Sequence, residues 1–220
     1  MLSQNSMTKK IILVSIIILL IHNVFAQDQI EIELDSITTE SEAHQFIEHH
    51  KSVNGKLITF NKEKHHSKIA DDLFELGKGG KKVYKSEYDK TIYKLIDRNE
   101  VLHHRVSYIF FDANKKPLQE INAIRNDIIS KFNKGIAFEE LAKQYSMDIN
   151  GKRGGDSGWF AKGEMIPEFE EQVISNTYIK GSIFKIDVPS KKWYYVVLKT
   201  YDKKMIDEIK VLKIVEPITR

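Results

Sequence analysis

The sequence predicts an α+β fold in two modules, on three observations. Apolar residues switch repeatedly between a spacing of two and a spacing of three or four, so strand and helix patterns succeed one another along the chain. Cysteine is absent from all 220 residues, which excludes disulfides, a thiol nucleophile, zinc-thiolate sites and a lipid-bearing cysteine. One apolar run, residues 11–21, stands apart at the N-terminus, and no later run approaches the ~20 residues that cross a bilayer.

That first run follows Lys9 and Lys10 and leads to small residues at Val24 and Ala26, the pattern of a secretory signal peptide over residues 1–26 cleaved after Ala26. The remainder is expected to be exported, periplasmic or otherwise extracytoplasmic, with no membrane span after cleavage. The formal net charge of +3 falls to +1 once those two lysines are removed. A 30% content of charged residues so close to balance reads as a solvated surface and argues against a nucleic-acid groove.

Residues 27–98 read as a small α/β module. Ile30, Ile32 and Leu34 alternate with acids, predicting a half-buried strand. Thr39 and Glu42 have capping-box spacing and open a helix that places Ala43, Phe46 and Ile47 on one face, with Asn54-Gly55 as its break. A short strand over 57–60 precedes a helix over 67–76 with Ile69, Leu73 and Leu76 inward, stopped by Gly77–Gly80. Val83-Tyr84 and residues 91–97 read as closing strands, and residues 99–104 as the join to the next module.

Residues 102–205 contain four strand patterns, at 106–111, 158–160, 183–186 and 193–201. Between them lie a long helix from Pro117 or Leu118 to Phe132, a helix over 138–145 and one over 168–175. Ile121, Ile124, Ile128 and Phe132 share one face of the long helix. Residues 206–220 are left as a C-terminal tail. Both modules follow a similar strand–helix order with related wording near their ends, which raises an internal duplication in which the first copy is shortened and inert.

The most informative stretch is Gly154-Gly-Asp-Ser-Gly-Trp-Phe-Ala-Lys-Gly-Glu-Met-Ile-Pro-Glu-Phe169, where turn glycines alternate with bulky apolar side chains. Together with the helix Phe138-Glu-Glu-Leu-Ala-Lys-Gln-Tyr145 it closely resembles the core signature of the parvulin family of peptidyl-prolyl cis/trans isomerases, over residues 105–202. The resemblance implies a four-stranded, mostly antiparallel sheet wrapped by helices. It also implies isomerisation of Xaa-Pro bonds without covalent chemistry or a cofactor.

Carried onto this sequence, the family's proline cup falls on Met165 and Phe169, with Trp159 and Phe160 bracing the loop and Ser157 at the rim. Met165 and Phe169 lie four apart where a helix begins, which also lets them face the same way. The polar centre departs from the family's pattern. Where parvulins carry histidines on the first and last strands, this chain has Tyr108 and Tyr195, while Asp148 occupies a position that is often aspartate. A phenol titrates too high to exchange protons as histidine does near neutral pH, so the residues leave open either a catalyst built on Asp148, Tyr108 and Tyr195 or a peptide-binding chaperone or adaptor without catalysis.

The loop after the first strand, Asp112-Ala-Asn-Lys-Lys116, contains an acid and no arginine, which speaks against phosphate-directed substrates. Histidines come in pairs, at 49–50, 65–66 and 103–104, off the spacing that places two metal ligands on one helix face, and are expected to be solvated. The expected partners are unfolded or folding polypeptides that contain proline.

Overall fold

The computed structural model describes residues 30–51, 53–175 and 177–218; the signal peptide and its cleavage point lie outside them. The chain divides into two units, one of Met1–Asn99 with Glu208–Arg220 and the other of Glu100–Asp207.

In the first unit, residues 30–36 form a helix, α1, and not the expected strand. Leu34 and Ile37 are buried while Ile32 is 70% exposed, so burial follows the three-residue spacing that the alternation had masked. Helix α2 (Glu40–His49) has the capping box that its sequence calls for: the Glu42 N–H donates to Thr39 Oγ1 at 3.2 Å and the Glu42 carboxylate accepts the Thr39 N–H at 3.0 Å. Asn54-Gly55 does not break this helix; it opens strand β1 (Asn54–Asn61). Helix α3 (Lys68–Phe74) is capped by Ser67 and buries Ala70 and Leu73, with Ile69 exposed against expectation.

Strands β2 (Lys81–Lys85), β3 (Asp89–His104) and β8 (Lys204–Pro217) complete a sheet ordered β1-β8-β3-β2. Residues 99–104, expected as the join, form the end of β3, and the division between the units falls within that strand, between Asn99 and Glu100. One expectation is corrected by this sheet. Residues 206–220 hold no tail over their described part, because Ile209, Val211, Leu212 and Ile214 of β8 are fully buried between β1 and β3. Both faces of the strand are covered, and the β1 partner, with Leu57 opposite Leu212, gives it a place.

The second unit contains β4 (Ser107–Asp112), α4 (Leu118–Asn133), α5 (Phe138–Tyr145), a 3₁₀ turn (Ile149–Arg153), β5 (Phe160–Ala161), α6 (Pro167–Ile174), β6 (Ile183–Val188) and β7 (Trp193–Leu198). Pro117 stands at the N-cap of α4, and Ile121 and Ile128 are buried on its inner face. The sheet is antiparallel and ordered β4-β7-β6, three strands where four were expected. The fourth, β5, pairs with the end of β3, His104 opposite Phe160.

The duplication is not borne out by this topology. In the second unit the first strand, β4, pairs directly with the last, β7; in the first unit β8 separates β1 from β3. The histidine expectation also needs correction, since His103 and His104 are 0% and 7% exposed. Among the described residues no three His, Asp or Glu side chains are grouped to hold a metal ion.

The β4-β7-β6 sheet has two different faces. Ile109, Phe111, Tyr194 and Val196 pack under α4 and α5 with Ile121, Ile128, Phe138 and Leu141. On the other face Val106, Tyr195, Val197, Phe184 and Ile186 meet Phe169 and Val173 of α6, and Tyr108, Phe110, Met165 and Trp193 remain only partly buried.

Candidate functional site

Strand alternation puts Tyr108 and Phe110 of β4 on one face, and antiparallel pairing sets Tyr195 opposite Phe110. The rings meet edge-on or tilted: Tyr108 lies 5.8 Å from Tyr195 and 5.8 Å from Phe169, Phe169 lies 4.9 Å from Tyr195, and Phe110 lies 5.6 Å from Trp193. Such rings pack at angles and leave space between them. The result is a cavity of about 430 Å³ lined by Tyr108, Phe110, Asp148, Glu164, Met165, Ile166, Phe169, Trp193 and Tyr195.

Two devices hold the cavity's irregular wall. The buried Glu170 carboxylate accepts the N–H groups of Gly163, at 2.7 and 2.9 Å to its two oxygens, and of Met165, at 3.2 Å, fixing the approach to α6. Arg105 forks onto Asp156 at 2.9 and 2.5 Å, and Asp156 also accepts the Gly158 N–H at 3.0 Å. The guanidinium holds the Asp156 carboxyl below its usual range. At Gly155 the backbone has φ +80°, and a Cβ there would stand 2.4 Å from the Tyr108 carbonyl oxygen, so only glycine permits the loop to approach β4 this closely.

Asp148 caps the 3₁₀ turn, its Oδ1 accepting the Ser146 hydroxyl at 2.8 Å and the Gly151 N–H at 3.2 Å. Burial, and then the neighbouring Asp148 carboxylate, push the Tyr108 phenol up to about 12. Burial, Tyr108 and Asp148 raise Tyr195 in the same direction. Both phenols therefore stay neutral and able to donate. The Tyr195 hydroxyl makes no hydrogen bond among the described residues, although its side chain lines the cavity.

Five of the seven residues singled out from sequence, Tyr108, Asp148, Met165, Phe169 and Tyr195, meet in this cavity. Two do not. Ser157 is tied into the loop, its Oγ accepting the Val106 N–H at 3.1 Å and donating to the Gly158 carbonyl at 2.8 Å. Phe160 is 2% exposed and packs in the core beside His104. Sequence reasoning missed Phe110 and Trp193, which sit two positions from Tyr108 and Tyr195 and so share their face. It also missed Glu170, whose partners lie on a loop no periodicity describes.

Residues 90–204, more than half of the chain, match the family model described as PPIC-type PPIASE domain. The chain is 34% identical over 107 residues to the foldase protein PrsA of Bacillus subtilis (strain 168), covering 48% of this chain and 33% of that one. It is 43% identical over 89 residues to foldase protein PrsA 2 of Bacillus cereus, covering 38% and 30%. The chaperone SurA of Bordetella avium (strain 197N) is 38% identical over 73 residues, covering 33% and 14%. The chain thus matches about a third of the length of these two PrsA relatives. Among solved structures, the PrsA crystal structure from Bacillus subtilis aligns with TM-score 0.37 and 28% identity over 46% of this chain and 35% of that one.

Proposed function

The chain belongs to the PPIC-type PPIase family, and from that membership we propose that it catalyses cis/trans isomerisation of Xaa-Pro bonds in exported polypeptides. The observation that carries the reading is the cavity itself: mostly apolar and aromatic on its walls, with two carboxylates, Asp148 and Glu164, and two neutral phenols among its lining.

An Xaa-Pro bond resists rotation by about 18–20 kcal/mol because twisting it breaks amide resonance. No covalent bond has to form. The twisted amide is less polar than the planar one, so an apolar cavity favours it over the ground state. Met165, Phe169 and Phe110 take the pyrrolidine ring, and Trp193 extends the apolar wall. The Tyr195 hydroxyl donates to a flanking carbonyl of the substrate, and Tyr108 with Asp148 holds the backbone on the other side of the rotating bond.

Two tyrosines in place of a titrating pair suit this role, because orienting a peptide needs donors and acceptors and no proton transfer. The signal-like N-terminal pattern supports a reaction on polypeptides outside the cytoplasm, where client chains arrive unfolded and expose their prolines. No cofactor or metal takes part. A protease-coupled assay on short Xaa-Pro peptides tests the proposal: the cis-to-trans rate rises with protein concentration. A rate equal to background with peptide still bound overturns it in favour of a chaperone or adaptor that grips proline segments without turning them.

A further inference from the structure

Among the described residues Arg125 is the largest fully buried side chain, 1% exposed, on the inner face of α4. Its Nε donates to the Tyr195 carbonyl at 3.2 Å and its Nη1 to Asn122 Oδ1 at 2.9 Å. Its Nη2 donates to the Ile186 carbonyl at 3.4 Å and pairs with the half-exposed Asp187 carboxylate. The guanidinium also lies 5.6 Å from the centroid of the Tyr194 ring.

Stability alone is a poor reason for this residue. Desolvating a guanidinium costs several kcal/mol, and an apolar side chain of similar volume between α4 and the sheet is often as stabilising or more. What an apolar side chain lacks is direction. Arg125 joins the two main-chain carbonyls of one cross-strand pair, since Ile186 of β6 stands opposite Tyr195 of β7. The side chain of Tyr195 projects from that point into the cavity, 4.9 Å from Phe169 and 5.4 Å from Phe110. Small errors in its aim would change whether its hydroxyl meets a substrate carbonyl.

We propose that Arg125 is a positioning residue for the isomerase site, a guanidinium clamp behind the sheet that fixes the backbone of Tyr195 and through it the direction of the Tyr195 side chain in the cavity. The proposal rests on the isomerase reading of that cavity for its kinetic consequence, but not for its structural one.

The test is a cycle of Arg125→Met and Tyr195→Ala, alone and together, in the full chain. Arg125→Met is expected to lower kcat for a peptide substrate about tenfold with KM changed less than twofold, and to shift or broaden the NMR signals of the Tyr195 ring. In the Tyr195→Ala background the same substitution should cost less than twofold, because nothing remains to be aimed. Arg125→Lys, which keeps the charge but loses the fork, should recover part of the loss. Equal losses in both backgrounds, or unchanged Tyr195 ring signals, overturn the proposal. If Arg125→Met does not fold, Asp187→Asn, which releases one anchor of the guanidinium at the surface, is read in the same cycle. A wild-type chain that turns no peptide sinks the isomerase reading; the ring signals then still decide whether Arg125 positions Tyr195.

Discussion

The two faces of the β4-β7-β6 sheet are made by the same strands, one residue apart, and they come out differently. Ser107, Ile109 and Phe111 of β4 alternate with Tyr108 and Phe110. The first set disappears under α4 and α5, where Ile121, Ile128 and Leu141 are 0–1% exposed and fill the space. The second set meets α6 and a glycine-punctuated loop, and its rings pack at angles of 49–84° around an unfilled cavity. Both faces carry rings, Phe111, Phe138 and Tyr194 on the closed one. There, however, aliphatic side chains of two helices fill the space between them, whereas on the open face rings meeting at angles beside one helix and a loop leave a shaped gap. Filling a face stabilises the fold. Leaving it open makes room for a ligand.

The comparison breaks most readily at its closed side. Phe111 is 1% exposed, so Phe111→Ala should cost about 3–5 kcal/mol in chemical denaturation by combining lost transfer energy with a cavity. A loss under 1 kcal/mol would mean that this face is not the one that holds the unit together.

On the open side the ranking should reverse. Met165 is only partly buried at the cavity wall, so Met165→Ala should move the melting temperature little. Its kcat/KM for an Xaa-Pro peptide should drop by about 10- to 200-fold, the range of a pocket contact worth 1–3 kcal/mol. Unchanged turnover with lowered stability would make Met165 part of the core.

Gly155→Ala tests the seam between the loop and β4. Because a Cβ meets the Tyr108 carbonyl at 2.4 Å in a left-handed backbone conformation, destabilisation of about 1–3 kcal/mol is expected, together with a fall in activity as Tyr108 is displaced.

The smallest effect concerns pH. Tyr108 sits at about 12, above its ordinary 10, so its phenol stays protonated in the folded state after the unfolded chain has lost the proton. Its contribution to stability is complete below pH 10 and is lost as pH rises from about 10 through 12. The phenols therefore predict turnover that is flat between pH 6 and 9. An inflection below pH 6.5 would point away from the tyrosines and towards a histidine such as His104, which packs against Phe160 and is held below its ordinary value chiefly by burial.

Much of the second unit could be read from its residues. The α5 segment has the bounds its pattern gave, and α4 and α6 fall within one residue or two, because each carries its own periodicity and punctuation. Five site residues could be named because turn glycines, a helix start and two strands fix their local directions. The same logic failed where a residue's place depends on a distant partner. Residues 30–36 alternate like a strand and form a helix because Leu34 and Ile37 are the side chains that find cover.

What the sequence by itself determined is local: caps, turn glycines, the apolar face of each helix and which side chains share a strand face, since all of these are set by a few adjoining dihedral angles. The tertiary structure alone decided that a C-terminal strand enters the first unit's sheet between β1 and β3, that Arg125 reaches the carbonyl behind Tyr195, and that one sheet face closes while the other stays open. These depend on hydrogen bonds and packing between residues far apart in the chain, and a pairing of that kind leaves no periodic trace in either partner.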